Sequence, residues 1–122
     1  MGVGDEKRLR FGRKSRLRTG SDFGRVRQRG YRSVSGCLIA NWLRQPAGAP
    51  SRLGVVTSAK VGGAVQRNRA RRLLRECYRL HQHEFHGPLD LVLVARPAIA
   101  GKSRAQVERE FLTTVRKAGL LQ

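Results

Sequence analysis

Apolar positions recur at helical spacing in two long segments of the chain. In the segment GGAVQRNRARRLLRECYRL, at about 100° per residue, one arc of the helix holds Ala70, Leu73, Cys77 and Leu80, with Leu74 at its edge. Near the carboxyl terminus the recurring residues are Val107, Phe111, Val115 and Ala118. Ser103 and Gln106 precede this second segment at the spacing of a capping box. The pattern predicts two amphipathic helices that dock on a core.

Three stretches without a helical period predict strands. Residues 31–43 mix apolar and small side chains, as in GCLIANWL, and the loop sequence RQPAGAPS follows them. The stretch RLGVVTSAKV predicts a strand with β-branched residues that ends at Gly62 and Gly63. The stretch LDLVLVAR is almost continuously apolar, which is typical of a strand buried on both faces.

A short helix is predicted before the first strand, in the sequence TGSDFGRVRQRG. Thr19 lies where a helix N-cap belongs, Asp22 follows three residues later, and Gly30 stands at the end. Phe23 and Val26 give this helix its apolar contact. Residues 1–15 are basic, dotted with glycine and poor in apolar side chains, so they predict a flexible arm, and residues 16–122 predict a single domain.

Charge identifies the kind of partner. The chain carries 26 basic and 8 acidic residues, a net charge of +18. Each phosphate that a basic side chain neutralises releases counterions, so nucleic acid is the leading partner. An anionic membrane surface is the less favoured alternative, because the basic segments present no broad face of Trp, Phe and Leu. Without an apolar run of spanning length or a signal-peptide pattern, we expect a soluble, cytoplasmic protein with no membrane partner.

Much of this charge lies on one side of the first long helix. The residues opposite its apolar arc are Arg67, Asn68, Arg71, Arg72, Arg75 and Arg79. Arg69 lies near the border of the arc, where its head can reach an acidic or backbone partner. A solvated basic face usually carries glutamates for pairing along the helix, but here only Glu76 intervenes. Because arginine grips phosphate oxygens with two hydrogen bonds at once, the stripe predicts RNA or DNA binding.

Other chemistry finds less support in the sequence. No paired carboxylates and no nucleophile beside a base occur at a recognisable spacing, so we predict no catalytic residues. The side chains of His81, His83 and His86 do not share one helical face, so we expect solvated histidines rather than a metal site. Cys37 and Cys77 are expected to be reduced, buried thiols rather than a disulfide.

Three blocks of the sequence, taken in order, resemble the protein subunit of bacterial ribonuclease P. The block TSAKVGGAVQRNRARRLLRE is similar to that family's strand, turn and Arg-Asn-Arg helix. The block RLRTGSDFGRVRQRG is similar to its first helix, and DLVLVAR to its last strand. The resemblance implies an α+β fold, a compact two-layer α/β sandwich in the order α-β-β-β-α-β-α. It also implies a rare left-handed βαβ crossover around the arginine-rich helix.

The resemblance implies a function as well. In this family the RNA subunit carries out hydrolysis with divalent ions such as Mg²⁺. The protein binds ribonuclease P RNA and, in a cleft between the first helix and the sheet, the 5′ leader of precursor tRNA. The chain would then be a non-catalytic subunit, one per RNA, without an organic cofactor. Composition alone leaves two alternatives open: a structural RNA-binding protein of the ribosome or its assembly and, with least support, a free-standing nuclease.

The resemblance also implies site residues, carried over one at a time. The family's RNA-contacting helix is matched by Arg67, Asn68, Arg69, Arg72 and Arg75, which Arg71 joins from the basic stripe. In the leader cleft, Phe23 matches the aromatic of the first helix, although its position is equally compatible with packing. Lys60 matches one basic residue at the strand end, and Ala59 stands where a second lysine is frequent.

Two further cleft positions depart from the family pattern. Arg27 and Asn41 stand where an aromatic residue is frequent, so we expect arginine stacking and hydrogen bonds to replace part of the aromatic stacking there. Trp42, the neighbour of Asn41, is expected in the core rather than as a stacking platform.

Overall fold

The structure, a computed structural model, describes residues 16–17 and 19–122. The elements are α1 (Gly20–Arg29), β1 (Tyr31–Val34), β2 (Leu38–Arg44), β3 (Arg52–Thr57), α2 (Ala64–His81), β4 (Leu89–Ala95) and α3 (Arg104–Lys117). Short 3₁₀ helices lie between them at Ala59–Val61, Gln82–Glu84 and Pro97–Ile99. This order confirms the predicted α+β fold. The predicted arm, residues 1–15, lies outside the described residues.

The strands form one mixed sheet in the order β1-β2-β4-β3. The β1–β2 and β2–β4 pairs are antiparallel, and β3 runs parallel to β4. Because α2 joins these two parallel neighbours, the expected strand-helix-strand unit is present, while its left-handed crossover stays a prediction. β4 has a strand on each side and buried residues on both faces, which confirms the prediction from its continuous apolar run.

Alternate residues of the strands face two different apolar clusters, as the two-residue repeat of a strand requires. Leu91 and Leu93 of β4 belong to the larger cluster, which α2 and α3 cover. Val92, which lies between them, packs in a smaller cluster with Leu17 and with Val26 of α1. The two long helices therefore cover one face of the sheet, and α1 lies on the other.

Two of the stretches predicted as strands differ from the structure. Residues 31–43 form two strands rather than one, because the chain turns back between them and Ser35 N donates to Leu38 O at 2.9 Å. The stretch RLGVVTSAKV leaves the sheet after Thr57. The Ser58 side chain accepts a hydrogen bond from Lys60 N at 3.2 Å, and this local bond starts a 3₁₀ turn in competition with the strand.

The buried side of α2 is slightly rotated from the predicted arc. Its buried residues are Ala70, Leu74, Cys77 and Tyr78, whereas Leu73 and Leu80 are half-buried. The Tyr78 ring packs against Phe85, with 5.6 Å between the ring centroids, and this contact turns the Tyr78 side of the helix inward. In α3 the predicted capping box of Ser103 and Gln106 is present.

Candidate nucleic-acid interface

Helix α1 is fixed at both ends by the residues that the sequence indicated. The Thr19 side chain accepts a hydrogen bond from Asp22 N at 3.1 Å and caps the first turn. At the other end the chain turns directly into β1, and a Cβ at Gly30 would lie only 2.2 Å from the backbone oxygen of Trp42. Only glycine allows this close approach, so the position of α1 over the sheet depends on it.

The Phe23 ring lies on the sheet itself, against the backbone of Gly54 in β3. A Cβ at Gly54 would stand 2.1 Å from Phe23 Cε1, so the missing side chain provides the space that the ring occupies. The ring is half-buried and packs against the small cluster that contains Val26 and Val92. Phe23 therefore seats α1 on the sheet, on the same face as the cleft described next.

Beside α1, one row of the sheet is left partly uncovered. Strand register aligns Val34, Ile39, Val94 and Val56 across all strands of the sheet, and each of these side chains is half-buried or exposed. A cavity of about 270 Å³ opens here and is lined by Arg27, Arg32, Ile39, Asn41 and Val94. We call this cavity the α1 cleft. It has an apolar floor, an arginine on α1 and an arginine on β1.

The chemistry of the α1 cleft suits a nucleic-acid strand. None of its lining residues is a carboxylate, and Arg27 and Arg32 are both exposed. Guanidinium groups bind phosphate oxygens, and an apolar floor such as Ile39 and Val94 accepts the faces of bases and riboses. The amide of Asn41, on the floor, offers both a donor and an acceptor for a base edge.

The arginines of α2 differ in how they are already engaged. Arg67 and Arg72 make no side-chain hydrogen bond or ion pair with any described residue. Arg71 donates to Thr57 Oγ1 at 3.2 Å and to the Asn68 side chain. Arg69 Nη2 donates to the carbonyl oxygen of Lys102 at 2.8 Å, the backbone partner expected from its border position. Helix α2 thus carries two arginines without a partner among the described residues and two, Arg69 and Arg71, whose guanidinium groups are held by hydrogen bonds.

Arg75 has an unusual electrostatic environment. Burial lowers its pKa, and the nearby charges of Arg16 and Arg71 lower it further. Like charges held this close are unfavourable in the isolated protein and are relieved by a bound anion. One turn further on, Arg79 is paired with Glu76 at 2.6 Å, so this arginine is already neutralised.

Every side-chain carboxylate among residues 16–17 and 19–122 pairs with a basic side chain of the protein itself. These carboxylates belong to Asp22, Glu76, Glu84, Asp90, Glu108 and Glu110. The unpaired arginines of α2 and of the α1 cleft therefore have no acidic side chain left to pair with among the described residues. Their charge is directed outward, as an interface for a polyanion requires.

The structure brings together some of the predicted site residues and separates others. Arg27 and Asn41 line the same cleft, and Phe23 packs beside it on Gly54. Lys60 is exposed on the 3₁₀ helix after β3 and is not among the lining residues. Arg32 was missed by sequence reasoning, although its place opposite Asn41 in an alternating hairpin was a usable signal.

The histidine prediction is wrong for His81. Its Nε2 lies 2.7 Å from Glu108 Oε2, and its Nδ1 contacts Glu84, so the ring joins α2 to α3 instead of being solvated. Burial lowers the pKa of His81, but the hydrogen bonds to Glu108 and Glu84 outweigh burial and leave the pKa above its usual value. His86 Nε2 lies 2.8 Å from the Gly119 carbonyl oxygen, while His83 is exposed.

The predictions for the two cysteines and for Trp42 are confirmed. Cys37 and Cys77 are both buried and free, as expected, and burial raises the pKa of each thiol to about 12. Trp42 packs on the main core and contacts Tyr31, with 5.8 Å between the ring centroids.

None of the described helices has the length and apolar character needed to cross a membrane. The described residues contain no group of three or more His, Cys, Asp or Glu side chains able to hold a metal ion.

The fold and the site together define a basic α+β protein with a cleft suited to a polyanionic chain. The chain belongs to the ribonuclease P family, whose family model matches residues 11–119. The proteins of this family that it matches are protein components of ribonuclease P, an RNA-processing enzyme.

Curated relatives agree with this assignment, and solved structures share the fold. The ribonuclease P protein component of Syntrophomonas wolfei is 35% identical over 108 residues, which cover 88% of this chain and 90% of the relative. That of Gluconacetobacter diazotrophicus is 37% identical over 110 residues, with coverage of 88% and 94%. The fold is shared with the RNase P protein of Staphylococcus aureus (TM-score 0.81, 22% identity, coverage 88% and 98%). It is also shared with that of Thermotoga maritima (TM-score 0.74, 24% identity, coverage 84% and 96%).

Proposed function

We propose that this chain is the protein subunit of ribonuclease P that binds the catalytic RNA and the 5′ leader of precursor tRNA. It assists the endonucleolytic removal of the leader, which gives the mature 5′ end. The observation that carries the proposal is the α1 cleft, where Arg27, Arg32 and Asn41 surround an apolar floor without a carboxylate, in a member of the ribonuclease P family.

The RNA subunit binds along the basic face of α2. Arg67 and Arg72 are the primary phosphate contacts, because neither has an internal partner among the described residues. Arg71 and Asn68 hold each other in place and present their remaining hydrogen-bonding atoms on the same helix. Arg75 adds charge that an anion relieves, and Arg69 contacts the RNA beside its bond to Lys102.

The leader binds in the α1 cleft as a single strand. Arg27 and Arg32 hold its phosphates from two sides, and Ile39 and Val94 support a base or ribose. Asn41 contacts a base edge from the floor. The half-exposed edge of Phe23 and the exposed Lys60 extend this path along α1 and past the end of β3.

The protein supplies charge and position, and the RNA subunit supplies the chemistry. Hydrolysis uses Mg²⁺ held mainly by the RNA and the substrate, and the protein takes part as one copy per RNA in the cytoplasm. A net charge of +18 replaces part of the cation atmosphere that two crowded RNAs otherwise need. The protein therefore lowers the Mg²⁺ concentration at which the RNA works.

A cleavage assay at stepped Mg²⁺ concentrations tests this function. Precursor tRNA is incubated with the protein alone, with the RNA subunit alone, and with both. We expect no cleavage by the protein alone, and a mature 5′ end from the mixture at a lower Mg²⁺ concentration than the RNA alone requires. Cleavage by highly purified, RNA-free protein contradicts the proposal, and so does a Mg²⁺ requirement that the protein leaves unchanged.

A further inference from the structure

A fully buried acid lies under α1, on the same face of the sheet as the cleft. Asp90, in β4, is aligned by register with Leu43 on one side and Arg52 on the other. Its carboxylate accepts hydrogen bonds from Arg25 Nη2 at 2.9 Å and from Gln45 Nε2 at 3.2 Å. Arg52 donates to both carboxylate oxygens, at 3.0 and 2.8 Å.

A second acid completes the arrangement. Asp22 of α1 lies 3.6 Å from Arg25 and 3.8 Å from Arg52. Helix α1 thus provides Asp22 and Arg25, the sheet provides Arg52 and Asp90, and opposite charges face each other across the contact. We call these residues the Asp90 cluster. In a chain with a net charge of +18, this neutral group is placed where α1 meets the sheet.

Two other side chains of α1 pack on the sheet through apolar contacts. Phe23 and Val26 pack on the small cluster. Apolar burial favours this contact but does not fix the rotation or the exact position of the helix over the sheet, because it is not directional. Hydrogen bonds between guanidinium and carboxylate groups do fix direction. Arg25 Nε is buried without a partner among the described residues, so the ordering of this guanidinium depends on its bonds to the carboxylates.

The hydrogen bond between Arg25 and Asp90 affects the cleft because Arg27, which lines the cleft, is on the same helix as Arg25. Arg25 and Arg27 are two residues apart on α1, so a rotation or shift of the helix that breaks the Arg25–Asp90 bond also moves Arg27. Arg27 forms the α1 side of the cleft, while Asn41 and Val94 belong to the sheet and stay in place. The contact that holds Arg25 therefore contributes to the width of the cleft, together with the seating of Phe23 and the close approach at Gly30.

We propose that Asp90 is a positioning residue for leader binding, which acts through Arg25 to hold α1 at the height over the sheet that gives the cleft its shape. The inference rests on the proposed function, because it concerns the affinity for the leader. Asp90 itself is fully buried and does not touch the RNA.

The test compares two substrates in the reconstituted enzyme. The affinities for precursor tRNA and for leaderless mature tRNA are measured with Arg25→Met, with Asp90→Asn and with the double variant, well below the melting temperature of each. Arg25→Met is the milder change, because Asp90 keeps its bonds to Arg52 and Gln45. The matched control is Glu108→Gln, which removes a charged contact between α2 and α3 on the opposite face of the sheet.

We expect the affinity for precursor tRNA divided by that for mature tRNA to fall about fivefold in each single variant, which corresponds to about 1 kcal/mol. The double variant should lose little more than either single variant, because both remove the same link. Glu108→Gln should lower the melting temperature and leave the ratio unchanged. Arg25→Lys keeps the charge, so its affinity ratio should lie between those of Arg25→Met and the wild type. This comparison tests the proposal even if Asp90→Asn fails to fold.

A separate variant distinguishes the two proposals. Arg27→Ala removes a cleft side chain directly and should lower the ratio if the leader binds in the cleft. If Arg27→Ala lowers the ratio while Arg25→Met changes only the melting temperature, Asp90 has a purely structural role and this inference is wrong. If neither variant changes the ratio, the leader does not bind in the cleft and the proposed function fails at that point.

Discussion

The contact between Phe23 and Gly54 gives a sharp prediction about how α1 is seated. Gly54→Ala places a methyl carbon 2.1 Å from Phe23 Cε1 and 2.8 Å from Cζ. Carbon atoms in contact are normally about 3.5–4.0 Å apart, so the ring must retreat by well over an ångström. Since the ring belongs to α1 and packs on Val26 and Val92, its retreat disturbs the whole small cluster.

The magnitude follows from known costs of overfilling a core. Such substitutions destabilise by about 1–3 kcal/mol, which for a domain of this size lowers the melting temperature by about 4–12 °C. Phe23→Ala also destabilises, by about 2–3 kcal/mol, because its ring is half-buried and a fully buried Phe loses about 3–5 kcal/mol. Once the ring is gone, however, the added methyl group at Gly54 meets no obstacle.

Urea unfolding of the two single variants and the double variant measures this coupling. We expect Gly54→Ala to cost about 1–3 kcal/mol in the wild-type background and close to nothing in the Phe23→Ala background. Gly24→Ala is the control, because a Cβ there has no neighbour within 4 Å and alanine favours a helix over glycine by about 0.5–1 kcal/mol. Additive costs at Phe23 and Gly54 would refute the seating of α1 described above.

Three further predictions concern other parts of the molecule. Arg72→Ala should weaken RNA binding and lower the slope of log affinity against log salt concentration by about one unit. Arg79→Ala removes an arginine that is already paired within α2, so it should lower this slope less. Equal slopes for the two variants would contradict the assignment of Arg72 as a phosphate contact. Because folding raises the pKa of His81, its stabilisation is complete below about pH 6.5 and is lost as pH rises through the folded pKa. In urea unfolding, the stability difference between the wild type and His81→Gln should therefore shrink from about pH 6 to pH 8, and a difference that grows would contradict this. Burial raises the pKa of Cys37 and Cys77 to about 12, so neither thiol should react with a disulfide reagent at pH 8 until denaturant is added.

Local patterns predicted the parts of the fold that local chemistry determines. The cap at Thr19, the stop at Gly30 and the capping box at Ser103 depend on residues three or four positions apart, and all are present. The continuous apolar run of β4 correctly indicated a strand buried on both faces. The end of β3 was predicted too late, because the Ser58 hydroxyl competes with the sheet for Lys60 N.

The candidate site was only partly predictable, because its residues meet across strands. Arg27 and Asn41 were named by resemblance, but the row of apolar side chains that forms the cleft floor depends on strand register. The contacts of Asp90 could not be predicted from the sequence. Its partners Arg25 and Arg52 lie 65 and 38 positions away along the chain, so only the folded arrangement brings the three side chains together.

The contribution of the protein to leader recognition is the central claim, and one binding measurement tests it most directly. The affinity of the RNA subunit for precursor tRNA and for leaderless mature tRNA is measured at one salt concentration, with and without the protein. If the leader lies in the α1 cleft, the protein strengthens binding of the precursor much more than binding of mature tRNA, and shortening the leader stepwise removes the difference. An equal gain for both RNAs, independent of leader length, would show that the protein acts only as a general cation and that the cleft does not hold the leader.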